Sequence, residues 1–266
     1  SFAIDCVNGS TALSLTPTFN SDNFKCQNGE ITNFDGLGGN DKLEIHNTDH
    51  SVSINGNLVF KAGNDTLTID KNNATNDYSI SESSSISMGG GNDIVNISNT
   101  SSTDLMLNAS VNLGTEHDTF NASGKLQFSK PIHGDAGDDK LNFGSTSSTD
   151  LIIINADIFG DDGLDSINLG NTKITGVIHG GAGHDTIKIF NKSSFIEING
   201  DDGNDTVQIS GNIDTSNPNL KIDGGAGNDI LRIDGVFNSS LVGPNITNLR
   251  LFILAMFMAQ YHLKYY

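Results

Sequence analysis

Nine aspartates recur along the chain, each ending a short glycine-rich turn: Asp41, Asp65, Asp93, Asp118, Asp139, Asp165, Asp185, Asp205 and Asp229. Their spacings run 24, 28, 25, 21, 26, 20, 20 and 24 residues. The last five turns read GDAGDD (134–139), GDDGLD (160–165), GGAGHD (180–185), GDDGND (200–205) and GGAGND (224–229). The first four are looser: GLGGND at 36–41, FKAGND at 60–65, MGGGND at 88–93, and LGTEHD at 113–118, where Glu116 stands in place of the second glycine. Carboxylates joined by backbone carbonyls that a glycine-rich loop aims inward make an all-oxygen donor set, which suits a hard cation with six to eight ligands, calcium above all. Gly-Asp and Asn-Asp are also ordinary turn formers that need no metal. That simpler reading accounts for one turn, but not for a Gly-x-x-Gly-x-Asp order repeated in five.

The elements that must position these turns are equally regular. The second and fourth residues after each aspartate are apolar in all nine copies, as in Leu43 and Ile45, Leu67 and Ile69, Ile187 and Ile189, Val207 and Ile209, and even Phe120 and Ala122. Polar residues such as Glu44, Thr68, Lys188 and Gln208 lie between them. A period of two marks a strand with one buried face. A second strand precedes each turn, because the residue two before the first turn position is apolar throughout: Phe34, Leu58, Ile86, Val111, Ile132, Ile158, Ile178, Ile198 and Ile222. Each unit then reads strand, turn, strand and polar connection. So short a unit cannot bury its apolar edge alone, so units must stack in parallel. The expected fold is all-β, a β-solenoid (a parallel β-roll or right-handed parallel β-helix) of about nine turns. At about 4.8 Å per stacked strand, it makes a rod on the order of 40 Å long.

Stacking sets like carboxylates about 5 Å apart, which costs roughly 1 kcal/mol per pair in bulk water and about 3 to 4 kcal/mol at an effective dielectric of 20. Asp135, Asp161, Asp162, Asp201 and Asp202 add to the crowding. Without divalent ions the array is frustrated, so calcium is expected to decide whether the chain folds. The motif returns once per unit, which implies a single row of at most eight ions between nine coils. The Asn- and Ser-rich connections, such as Asn99 to Asp104, Ser145 to Asp150 and Asn212 to Asn219, read as surface loops on the opposite edge.

The turn pattern resembles the calcium-binding repeat of the RTX (hemolysin-type) family, written G-G-x-G-x-D-x-U-x with U a large apolar residue, over roughly residues 34 to 235. That resemblance implies a β-roll of secreted toxins, proteases and lipases. It implies that the aspartate carboxylates coordinate Ca2+ and that backbone carbonyls of turn residues such as Gly134, Gly160, Gly180, Gly200 and Gly224 complete the shell. It also implies a secreted or cell-surface location and folding after export. The tail from Leu251 to Tyr266 is apolar and aromatic and departs from the family's usual secretion signal.

Composition limits the other function classes. Thirty-two acidic residues against 14 Lys and Arg give 266 residues a formal charge of −18, which disfavours nucleic acid as a partner. The apolar run Leu251 to Ala259 is about half of what a membrane-spanning helix needs. Cys6 and Cys26 precede the repeats; a disulfide between them would add roughly 3 kcal/mol, and two unpaired thiols are the alternative. Of the seven histidines, His133 and His179 precede turns and His117 and His184 lie inside them; none has a zinc-ligand spacing, and all four read as solvated turn residues. No catalytic signature is found, so the chain is expected to be no enzyme. Three segments follow: an N-terminal cap over 1–33, calcium-binding repeats over 34–236 and a C-terminal cap or tail over 237–266. The expected function is a calcium-binding rod whose variable edge meets a cell-surface or polysaccharide partner. The alternative is the repeat portion of an RTX-type enzyme or toxin whose active domain lies outside this chain.

Overall fold

The computed structural model describes residues 4–8, 11–15, 18–27, 29–47, 51–73, 75, 77–144, 150–210, 219–234 and 245–253. They form an all-β parallel solenoid, as the alternating pattern requires. The strands that precede the turns make one ten-stranded sheet and those that follow them an eleven-stranded sheet, with successive coils as neighbours throughout. Pairing is parallel and stays in register from coil to coil, for example Ile45 with Ile69, Val95 with Phe120, and Val207 with Leu231. Equivalent apolar residues therefore stack directly on one another. Leu43, Leu67, Val95, Phe120, Leu141, Ile167, Ile187, Val207 and Leu231 form one buried column.

The connections hold more than surface loops. Among the described residues seven of them carry a third short strand: Gly29–Ile31, Val52–Ile54 and Tyr78–Ile80 form one parallel sheet, and Leu105–Leu107, Leu126–Phe128, Ile152–Ile154 and Thr172–Ile174 form another. Each coil there has three sides, and the third side closes the core. Phe128 on it meets Phe120 and Phe143 of the post-turn sheet at ring-centroid distances of 6.0 and 5.9 Å. All three rings are buried. Of the three connections expected as loops, Asn99 to Asp104 is a corner leading into Leu105–Leu107, while most of the other two lies outside the described residues. At that corner the Asn99 side-chain amide donates to the carbonyls of Thr103 and Lys125, and buried Lys71 donates to Thr103 Oγ1 and the Asp104 carbonyl at 2.9 Å. Buried polar groups are thus satisfied where the chain bends.

The sheets also run past the expected repeat boundaries. Asn23–Cys26 pairs with Lys42–His46, and Leu249–Ile253 pairs with Asp229–Asp234. Upstream, Ile4–Asn8 and Thr11–Leu15 form an antiparallel hairpin. Cys26 is buried and disulfide-bonded. Residues 254–266, and with them most of the apolar tail, lie outside the described residues. Among the described residues, no helix is long and apolar enough to cross a membrane.

Candidate metal centre

All nine repeat aspartates lie in one row along the edge where the two large sheets meet, and every one is buried. The turn that places them has its fourth position in the left-handed region. Glycine fills that position in eight coils, and at Gly203 a Cβ would collide with the Gly183 carbonyl of the preceding coil. In the fourth coil Glu116 adopts the same conformation, with φ 76°. Its carboxylate accepts the Gly91 N–H at 2.8 Å and the Thr115 hydroxyl at 2.7 Å. Asp118 consequently keeps its place in the row despite the missing glycine.

Each row carboxylate has two unlike oxygens. Oδ1 accepts the backbone N–H of the aspartate one coil earlier: Asp41 donates to Asp65 at 2.6 Å, Asp93 to Asp118 at 2.7 Å, Asp165 to Asp185 at 2.8 Å, and Asp205 to Asp229 at 2.8 Å. Oδ2 is buried and accepts no hydrogen bond in any of the nine. A buried acceptor left unmatched costs about 1–3 kcal/mol, and more when charged. Nine in a row call for a common partner.

In six coils the first turn residue is a glycine whose missing side chain leaves a cradle for that oxygen. A Cβ on Gly36, Gly134, Gly160, Gly180, Gly200 or Gly224 would stand only 2.6–2.8 Å from Oδ2 of the aspartate in its own turn. The same point is crowded by a carbonyl oxygen from the following coil: Phe60, Gly160, Gly180, Gly200, Gly224 and Asn248 in that order. Carboxylate and carbonyl oxygens of adjacent coils therefore converge beside each glycine. In coils two to four the first position is Phe60, Met88 or Leu113, all buried, so side-chain carbon fills the cradle beside Asp65, Asp93 and Asp118.

Burial pushes the row carboxyls from Asp41 to Asp205 up from the usual carboxylate range, while the donated N–H opposes it. Asp93 and Asp165 reach about 8, Asp139 and Asp205 about 7, and Asp41, Asp118 and Asp185 about 6; Asp65 is also raised. The charged form of these carboxyls is disfavoured in the folded chain, and a proton or a bound cation would relieve it. An all-oxygen donor set of this kind fits a hard cation and gives no soft ligand for a thiophilic one.

Two features escaped the sequence pattern. Asp22 extends the row by one coil, its N–H donating to Asp41 Oδ1 at 2.8 Å. Its turn lacks the glycines, but Phe24 and Cys26 stand at the second and fourth positions after it and could have revealed it. Two of the four turn histidines also differ from the solvated residues expected. His133 and His179 are half-buried and pair with Asp161 at 2.9 Å and Asp201 at 3.0 Å. Both partners lie one coil on, out of reach of a local spacing rule. Inside the turns, His117 and His184 are exposed, and their Nδ1 atoms accept the N–H groups of Asp138 and Asn204 at 2.9 and 2.8 Å.

No protein-family model matches the chain, and no curated relative does. Among solved structures, it is similar to the crystal structure of a hyperactive, Ca2+-dependent, beta-helical antifreeze protein from an Antarctic bacterium. The two are 20% identical, with 93% of this chain and 79% of that chain covered and a TM-score of 0.48.

Proposed function

We propose that the chain is a calcium-binding, RTX-like β-solenoid, a rod that folds when Ca2+ fills one row of sites along its acidic edge. Its role is structural and binding, not catalytic, in a secreted or cell-surface protein that folds after export. What carries the reading is the line of nine buried Oδ2 atoms that accept no hydrogen bond. The residues that would hold the ions are Asp41, Asp139, Asp165, Asp185, Asp205 and Asp229, each beside a glycine cradle into which a carbonyl of the next coil projects. Bound calcium would cancel repulsion along the row and so couple metal binding to folding. Asp65, Asp93 and Asp118 are the weaker candidates, since Phe60, Met88 and Leu113 occupy the corresponding space.

Far-ultraviolet circular dichroism of the chain in excess chelator and at roughly millimolar calcium, the range typical of extracellular calcium modules, tests this reading. Strand signal should rise steeply with calcium, with several ions bound per chain by elemental analysis. Equal strand content in both conditions, with no calcium retained, would overturn it.

A further inference from the structure

The outer face of the pre-turn sheet carries a second donor set that the calcium reading does not use. His133, Phe159 and His179 occupy one column in successive coils, His133 pairing with Phe159 and Phe159 with His179 in the parallel register. Their rings stack with centroids 4.4 and 4.8 Å apart and planes within 4° and 7° of parallel. The stack fixes the His133 imidazole so that Nδ1 lies 2.9 Å from Asp161 Oδ2, which also accepts the Asp135 N–H at 3.2 Å. One ligand atom from each of His133, Asp135 and Asp161 falls within 4.8 Å of the other two. Strand alternation sends His133 and Asp135 outward, whereas Gly134 between them faces Asp139 inside. The two donor sets therefore sit on opposite faces of one strand.

A side chain holds a left-handed conformation at the second turn position in five coils, at Leu37, Lys61, Asp135, Asp161 and Asp201. Asp135 and Asp161 hold left-handed φ values of 70° and 72° at the turn position where other coils use Gly89, Gly114, Gly181 or Gly225. A carboxylate is kept there against a conformational cost of order 1 kcal/mol or more. Asp135 lies in register with Gly114 of the preceding coil, and its own N–H donates to Asp161 Oδ2.

We propose that His133, Asp135 and Asp161 form a binding site for a first-row transition dication of the zinc class, separate from the aspartate row. An imidazole nitrogen with two carboxylates suits such an ion, whereas calcium prefers oxygen alone. Tetrahedral ligands about 2.0–2.1 Å from zinc stand roughly 3.3 Å apart. The 2.9 Å His133–Asp161 contact need open by only a few tenths of an ångström, and all three residues are half-buried at the sheet surface. His179 and Asp201 repeat the imidazole–carboxylate pair at 3.0 Å, but Gly181 stands where Asp135 would supply the third ligand. They form a two-donor control within the same molecule.

The test is Zn2+ calorimetry and Co2+ visible absorption on the full chain at saturating calcium. One zinc equivalent and a Co2+ spectrum with nitrogen ligation are expected. His133→Gln should weaken binding by at least roughly tenfold, while His179→Gln should leave it unchanged, with circular dichroism intact in both. Should His133→Gln fail to fold, Asp161→Asn reads the same loss. No zinc equivalent in the parent chain, unchanged binding after loss of His133, or equal loss in His179→Gln would each overturn the proposal. If the rod folds without calcium, the same titration is run in its absence, so the two readings fail separately.

Discussion

The backbone N–H of Asp185 donates to Oδ1 of Asp205 at 2.8 Å, while Oδ2 of the same carboxylate is buried without a hydrogen bond. One carboxyl thus ties two coils together and faces the Gly200 cradle with its other oxygen. Asp205→Asn separates the two roles. The amide oxygen still accepts the Asp185 N–H, and the new NH2 group lies beside the Gly224 carbonyl that approaches Gly200. The metal-free variant should gain about 1–3 kcal/mol of stability from satisfying that buried position, while its calcium midpoint rises. Urea unfolding in chelator and a calcium titration measure the two; a loss of stability in chelator would contradict the account.

Glycine replacements locate the cradles. At Gly200 a Cβ would stand 2.6 Å from Asp205 Oδ2 and against the Gly224 carbonyl, whereas at Gly144 it would meet nothing within 4 Å. Gly200→Ala should abolish one calcium site and destabilise the rod by several kcal/mol, from steric overlap between coils. For Gly144→Ala the expected change in stability is within about 0.5 kcal/mol. Thermal melts at saturating calcium, with bound calcium counted, distinguish them.

Acidity should act oppositely on the two forms of the protein. Row carboxyls raised from 3.8 to between about 6 and 8 hold their protons more tightly in the folded chain than in the unfolded one. Their contribution to stability is complete below pH about 4 and disappears as pH climbs through about 6 to 8. In chelator the rod should be more stable at about pH 5 than at about pH 8.5. Excess calcium should reverse the order, because protons compete for the same oxygens. Chemical denaturation at both pH values, with and without calcium, checks the crossing.

The third side of the coil is a structural element. Phe128 is buried against Phe120 and Phe143, so Phe128→Ala should cost about 3–5 kcal/mol. Met106, on the neighbouring third-side strand, is half exposed, and Met106→Ala should stay within about 0.5 kcal/mol. Equal melting temperatures for the two variants would return the connections to the status of loops.

How much of this was legible follows from which contacts are local. Residues such as Leu43 and Ile45 or Val207 and Ile209 announced their strands because burial repeats at fixed offsets from an aspartate. The third side was obscured because its strands are three residues long and follow polar corners of variable length. Leu105 with Leu107, and Ile152 with Ile154, carry the same period of two but too briefly to stand out. Asp22 was hidden by a turn without glycine. The pairing of His133 with Asp161, 28 residues away, could not be seen until the coils were stacked in register.

The direction of the Oδ1 bonds has a consequence for how the rod assembles. Each amide of the row is satisfied by the carboxylate of the coil that comes later in the chain, never by the one before. A polypeptide threading out N-terminus first therefore always carries one unlatched coil at its growing tip, and each new arrival fastens its predecessor. Among the described residues the series stops where Leu249 takes the register position of an aspartate opposite Asp229, so the row carries a direction of closure.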